Sequence, residues 1–265
     1  MTLSYAIWPL RFSPDPSAMI DFYSRLGLHK ALSHDHGTFA TFEGRSGTLG
    51  VHDARTTTSG AVPGHTALNL ATADVEEAAT ELTGHGYEAR VWDETYGKQG
   101  VVVTGDGRVI GLNENHQDDL YGGYRVHDAS APPELDVVAV CVTPDLRAEA
   151  AYFAPFGFTA PSYDDPWWIG LRAGERSGVI GLHTGEVETR NPRSDGDPFE
   201  PVHEVRIGFE TSVPLDRLAD RLRAVGFATT MITDVPDPRI VLIDPEGDEV
   251  RSTRRRDPAT LGSAG

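Results

Sequence analysis

Met19-Ile20-Asp21-Phe22-Tyr23-Ser24-Arg25-Leu26-Gly27-Leu28 has helical spacing, then a glycine, then a large apolar residue. The same plan returns three times. Val75 to Leu82 leads to Gly86-Tyr87, Ala150 to Phe156 leads to Gly157-Phe158, and Leu215 to Val225 leads to Gly226-Phe227. Val75, Ala78, Ala79 and Leu82 fall on one helical face, as do Leu215, Leu218 and Leu222. The glycine suits a left-handed cap, after which the chain re-enters as a strand. Asp15-Pro16 and Thr143-Pro144 read as helix starts, because proline is pre-set for the first turn. The cap glycines are spaced 59, 71 and 69 residues apart, which makes the chain four copies of one unit.

A strand-like run precedes each helix: Ala6–Phe12, His65–Ala71, Leu135–Val142 and His203–Phe209. Short strand candidates separated by glycine-rich turns follow each one. Arg45-Ser46-Gly47-Thr48-Leu49-Gly50-Val51-His52 in module one parallels Arg176-Ser177-Gly178-Val179-Ile180-Gly181-Leu182-His183 in module three. Modules two and four end on turn-plus-strand pieces, with Asp106-Gly107 and Glu246-Gly247 as turns and not as catalytic carboxylates. The polar stretch Glu114–Pro133 has linker composition. Residues 1–115 and 134–254 are therefore expected as two domains, with 116–133 as linker and 255–265 as a flexible tail. Arg251 to Arg256 reads as an edge strand running into that tail, and Thr184–Pro201 as a long solvated loop.

The composition is that of a folded globular chain, with 39% hydrophobic and 24% charged residues. A formal charge of −17 repels phosphate backbones and anionic membranes, so neither is an expected partner. No apolar run approaches the ~20 residues that cross a bilayer, and Met1-Thr2-Leu3-Ser4-Tyr5 lacks the start of a secretion signal. A cytoplasmic location is expected. The single cysteine, Cys141, reads as a buried strand residue.

Paired βαβββ units, the helix ending Ile-Asp-Phe-Tyr-Ser-Arg-Leu-Gly-Leu and the turn Asp-Pro-Glu-Gly-Asp together resemble the vicinal oxygen chelate superfamily. That group includes glyoxalase I, bleomycin-resistance proteins, fosfomycin-resistance enzymes and extradiol dioxygenases. The resemblance implies an α+β fold of four βαβββ modules paired into two half-open barrels. It also implies a divalent metal, held by a His or Gln early in the first strand and a Glu in the last strand of a module. At the first-strand position the chain has His65 in module two and His203 in module four. Modules one and three offer Ile7 or Trp8, and Asp136 or Val137. The last-strand glutamate becomes Gly50, Gly111, Gly181 and Arg251, so no pairing of modules restores the ligand set.

His52 and His183 lie two residues beyond the lost glutamates, on the same strand face, with Asn113 at the equivalent place in module two. They form candidate pairs, His52 with His65 and His183 with His203, and polar cavity lining is the competing role. Trp8, Trp167, Trp168, Phe39 and Phe42 belong to strands whose alternate residues should face a cavity. Arg251 is a candidate for a ligand carboxylate or phosphate, or else a surface charge. The expected ligand-binding set is His52, His65, Asn113, His183, His203, Trp8, Trp168 and Arg251, with no metal or cofactor. The expected function is binding of a small organic molecule in the manner of the glyoxalase/bleomycin-resistance type, by a monomer or homodimer. The alternative is a metal-dependent lyase, isomerase or dioxygenase with relocated histidine ligands, and enzyme status stays open between the two.

Overall fold

The computed structural model describes residues 4–57, 59, 61–94, 97–103, 108–114, 122–129, 131–186, 204–235 and 237–255. Module one comprises β1 (Ala6–Ile7), β2 (Leu10–Ser13), α1 (Pro16–Leu26), β3 (His29–His34), β4 (Phe39–Glu43) and β5 (Thr48–Asp53). Module two comprises β6 (Thr66–Ala67), β7 (Asn69–Thr72), α2 (Val75–Gly84), β8 (Glu88–Glu94), β9 (Gly97–Val103) and β10 (Val109–Glu114). After β11 (Tyr124–Val126), module three runs through β12 (Leu135–Thr143), α3 (Leu146–Phe153), β13 (Ala160–Asp164), β14 (Trp168–Arg172) and β15 (Val179–Thr184). Module four follows as β16 (Arg206–Thr211), α4 (Leu215–Ala224), β17 (Thr230–Ile232), β18 (Arg239–Ile243) and β19 (Glu249–Arg254).

All four cap glycines have positive φ, which only glycine adopts without strain. The side chains of Asp15, Asp74 and Asp145 accept from the first free N–H groups of their helices. In module three the helix starts after Asp145, later than the Thr143-Pro144 start expected. Thr143 is still held in β12 opposite Thr184, and the Asp145 carboxylate supplies the cap.

First strands pair antiparallel within each half, which joins module one to two and module three to four. In the second half β12 pairs with β16, at the centre of a sheet ordered β13-β14-β15-β12-β16-β19-β18-β17. The first half repeats this order with a break. Pro9 cannot donate to a ladder, so the first strand of module one splits into β1, paired with β7, and β2, paired with β6. Two sheets result, β1-β7-β10-β9-β8 and β11-β3-β4-β5-β2-β6. The fold is thus α+β, with half-open sheets. β11, from the expected linker, adds an edge strand to β3. β19 is not an edge strand: it pairs with both β16 and β18.

One core cluster contains residues from all four modules, including Phe22, Leu82, Phe156 and Leu222 from the helical layers. Helix α1 meets module four, where the Phe22 and Phe227 rings pack edge to face at 5.3 Å. Module two meets module three through Tyr87 stacked on Phe156 at 6.0 Å. Arg11, nearly buried on β2, reaches across to Glu246 (2.8 Å) and Asp248 (2.7 Å) of the Asp-Pro-Glu-Gly-Asp turn.

The two matched Arg-Ser-Gly turns form the other contact between halves. The N–H of Val137 donates to the Ser46 carbonyl at 2.9 Å, and the N–H of Ile7 donates to the Ser177 carbonyl at 2.8 Å. Between them Gly47 and Gly178 touch: a Cβ on Gly47 would lie 2.8 Å from the Gly178 Cα. Asp136 is fully buried beside this seam, where it accepts from Arg45 (2.6 Å) and Arg172 (3.0 Å). Arg172 also holds Glu210 at 2.9 Å. Burial pushes the Glu210 carboxyl above its usual range, against the opposing pull of Arg172.

Gly37 also has positive φ, at +66°, but a Cβ there meets nothing within 4 Å. Gly37→Ala is therefore expected to cost only the left-handed backbone term, about 1 kcal/mol. Gly47→Ala adds the steric conflict at the seam and should cost about 3 kcal/mol. Urea-denaturation midpoints of the two variants measure the difference.

Candidate functional site

Strand alternation divides each half into two faces. Ile7, Leu49, Val51, Leu70, Ile110 and Leu112 enter the shared core, so their neighbours line the opposite, concave face. In the first half that face carries Trp8, Phe12, Phe39, His52, Asn69 and Asn113. Trp8, Phe12, Phe39, Asn69 and Asn113 are buried there, and His52 is half-buried. Trp8, Phe39, Thr41, Thr48, Gln99 and Asn113 line a space of about 50 Å³, room for a water or two. Typical small-molecule sites are roughly 300–1,000 Å³.

In the second half the corresponding face forms a trough whose side chains are more exposed. Val140, Val142, Trp168 and Val241 are half-buried there, and His183, Arg206 and Arg251 are exposed. Trp168 folds over Gly181, with its ring edge 2.3 Å from where a Cβ would stand. At the seam end of this face lie Asp136, Glu210 and Arg172, already paired with one another.

Among the expected residues, His52 and His65 do share a face, but Phe12 stands between them. Phe12 is opposite His52 on β5, and its N–H donates to the His65 carbonyl on the other side. Two strand spacings, roughly 10 Å, thus separate the histidine backbones. The Phe12 ring lies 5.8 Å from His52 and 6.0 Å from His65. His65 is fully buried, with neither ring nitrogen hydrogen-bonded and the Glu204 carboxylate 3.7 Å from Nδ1. His52 Nδ1 bonds the Asp53 carbonyl and His183 Nδ1 the Thr184 carbonyl, so the two are conformational equivalents. Asn113 is buried and accepts from Gln99. Trp8 is buried in the closed face beside Phe39. Arg251 pairs with Glu249 at 2.8 Å. His203 lies outside the described residues, and so does most of the Thr184–Pro201 loop.

Register settles which positions are equivalent. Asp136 stands opposite Glu210 as Ala6 stands opposite Ala71. The position of His65 is therefore filled by Ala6, Asp136 and Glu204 in the other modules, one residue away from the expected Ile7 and His203. Arg206, Arg239 and the Trp168–Gly181 contact were not singled out in the sequence beyond Trp168 itself. A glycine at a strand centre was the available signal, since it often marks close approach by another group.

The chain has the fold of several solved proteins. Homoprotocatechuate 2,3-dioxygenase from Arthrobacter globiformis matches with a TM-score of 0.56 and 14% identity, over 97% of this chain and 82% of that one. A Mn(II)-bound glyoxalase from Novosphingobium aromaticivorans matches with a TM-score of 0.57 and 14% identity, over 95% and 81%. A catechol 2,3-dioxygenase matches at 0.57 and 11% identity, over 97% and 89%. No protein-family profile and no curated sequence matches the chain. At these identities the likeness is one of fold.

The metal implied by the resemblance does not fit the residues present. Parallel pairing puts Leu10 beside Gly50, Asn69 beside Gly111 and Val140 beside Gly181. A side chain begun at these glycines would meet Leu10 at 2.7 Å, Asn69 Oδ1 at 1.7 Å and Trp168 at 2.3 Å. The space of the lost carboxylates is filled. Among the described residues no three His, Cys, Asp or Glu side chains cluster as a metal site.

Gly111→Ala should force Asn69 out of its place and cost about 2 kcal/mol. In the Asn69→Ala/Gly111→Ala double variant the cost should be less than the sum of the singles. Denaturant melts of the four proteins in this cycle provide the check.

Proposed function

We propose that the protein binds a small organic molecule in the open trough of its second half, without the divalent metal implied by the resemblance. The observation that carries this reading is the packing over Gly50, Gly111 and Gly181. Side chains of Leu10, Trp8, Asn69 and Trp168 occupy the space a metal-binding carboxylate would need. Half-buried Trp168, Val140, Val142 and Val241 offer an apolar floor, and polar groups at its edge supply orientation. In the first half the same face leaves only about 50 Å³ beside Trp8 and Phe39, too little for a small organic molecule, which supports a structural role there.

Chelation tests the proposal. Purified protein is expected to carry well under ~0.1 equivalent of Ni, Zn, Mn or Fe, and to melt at the same temperature before and after EDTA treatment. His65→Ala should leave the metal content unchanged. A stoichiometric metal that EDTA removes, together with a fall in melting temperature or loss of an activity, would overturn the proposal.

A further inference from the structure

Three arginines stand on one wall of the open trough. Ile207 and Phe209 enter the core, so Arg206 and Gly208 face the trough; buried Val250 and Ser252 turn Arg251 the same way. Buried Ile240 and Leu242 place Arg239 on this face as well. Arg206 is exposed and makes no ion pair among the described residues. Arg251 pairs there with the exposed Glu249, and Arg239 is half-buried with no hydrogen bond to its Nε. On a chain of charge −17 this is a local excess of cations.

The facing wall is apolar. Val140 is directly opposite Arg206, Val138 is opposite Gly208, and the Trp168 ring lies beyond them over Gly181. From β16 across β12 to β15 is two strand spacings, roughly 10 Å. A planar ring resting on Trp168 and the valines would bring a substituent at its edge to the Arg206 and Arg251 guanidinium groups. Gly208 and Gly181 add no side chains of their own, so Val138, Val140 and the Trp168 ring form the floor between them.

The repeat supplies a comparison within the molecule. Gly111 stands beside Asn69 where Arg251 stands beside Gly208. Gln99 is opposite Asn113 where Arg239 is opposite Thr253, and Ala67 is opposite Leu10 where Arg206 is opposite Val140. Module two is neutral at all three places. The cationic wall belongs to module four alone, and the scaffold does not require it.

We infer that this trough is a site for an aromatic carboxylate, its ring on half-buried Trp168 and Val140 and its carboxylate on Arg206 and Arg251. The inference rests on the reading that the trough binds small molecules without metal. Guanidinium groups bind carboxylates through paired, charge-assisted hydrogen bonds, and an amide of the same shape lacks the charge.

The test is calorimetric titration of the full chain with 2-naphthoate and with 2-naphthamide, each with and without EDTA. Naphthoate is expected to bind saturably and at least ~10-fold more tightly than the amide. Arg206→Gln and Arg251→Gln should each weaken naphthoate about 10-fold. Arg176→Gln, an exposed charge elsewhere, should not, and unchanged thermal melts confirm that the variants fold. Absence of saturable naphthoate binding, equal binding of the amide, or unchanged affinity in both arginine variants would overturn the site. Metal-free binding of the amide in that case leaves the earlier proposal standing. Naphthoate binding that disappears in EDTA and returns with a divalent metal would instead sink the metal-free reading.

Discussion

Gly47 and Gly178 bring two backbones into contact at the point where the halves of the molecule meet. Any side chain at either position would hold the halves apart, because each Cβ would fall within 3 Å of its neighbour. With both absent, the reciprocal hydrogen bonds of Val137 to Ser46 and Ile7 to Ser177 can form. These bonds tie the first strand of each half to a turn of the other. The helices are then held between the sheets, and the four modules bury their apolar faces in one cluster. The Asp136–Arg45–Arg172 group sits on the same seam, where buried charges are tolerated because each has a partner.

Having used their outer faces to make the core, the two halves differ in what their inner faces do. Both keep the same strand order; Gly50, Gly111 and Gly181 stand where the resemblance implies a carboxylate, and Arg251 stands at the fourth such position. The first half closes its inner face with Trp8, Phe12 and Phe39. The second leaves Val140, Val142 and Trp168 half-buried beside an arginine-bearing wall. The two copies of the scaffold thus differ in the side chains they place on this face and not in strand order.

Much of this was legible in the sequence. Four helices with glycine caps, the strands around them and the α+β class follow from periodicity, since each unit repeats the same apolar pattern and the same φ-positive glycine. The start of α3 was misplaced because proline and aspartate both signal a first turn, and the ladder to Thr184 decides between them. Arg251 to Arg256 read as an edge strand because the basic run leads into the tail, but most of it belongs to the strand Glu249–Arg254. Its two partners come from residues 206–211 and 239–243, and no local pattern records that pairing.

The site shows the same division. Spacing by itself determined that the modules repeat, whereas the loss of the last-strand carboxylates was read through the resemblance, and cavity-facing places for Trp8, Trp168 and Arg251 were expectations. Only the tertiary structure decided that Phe12 separates His52 from His65, and that module one pairs with two. It also brought Arg206 and Arg251 onto the wall facing Trp168. The physical reason is that strand alternation fixes which face a residue takes, whereas its neighbours on that face are set by register between strands distant in the chain.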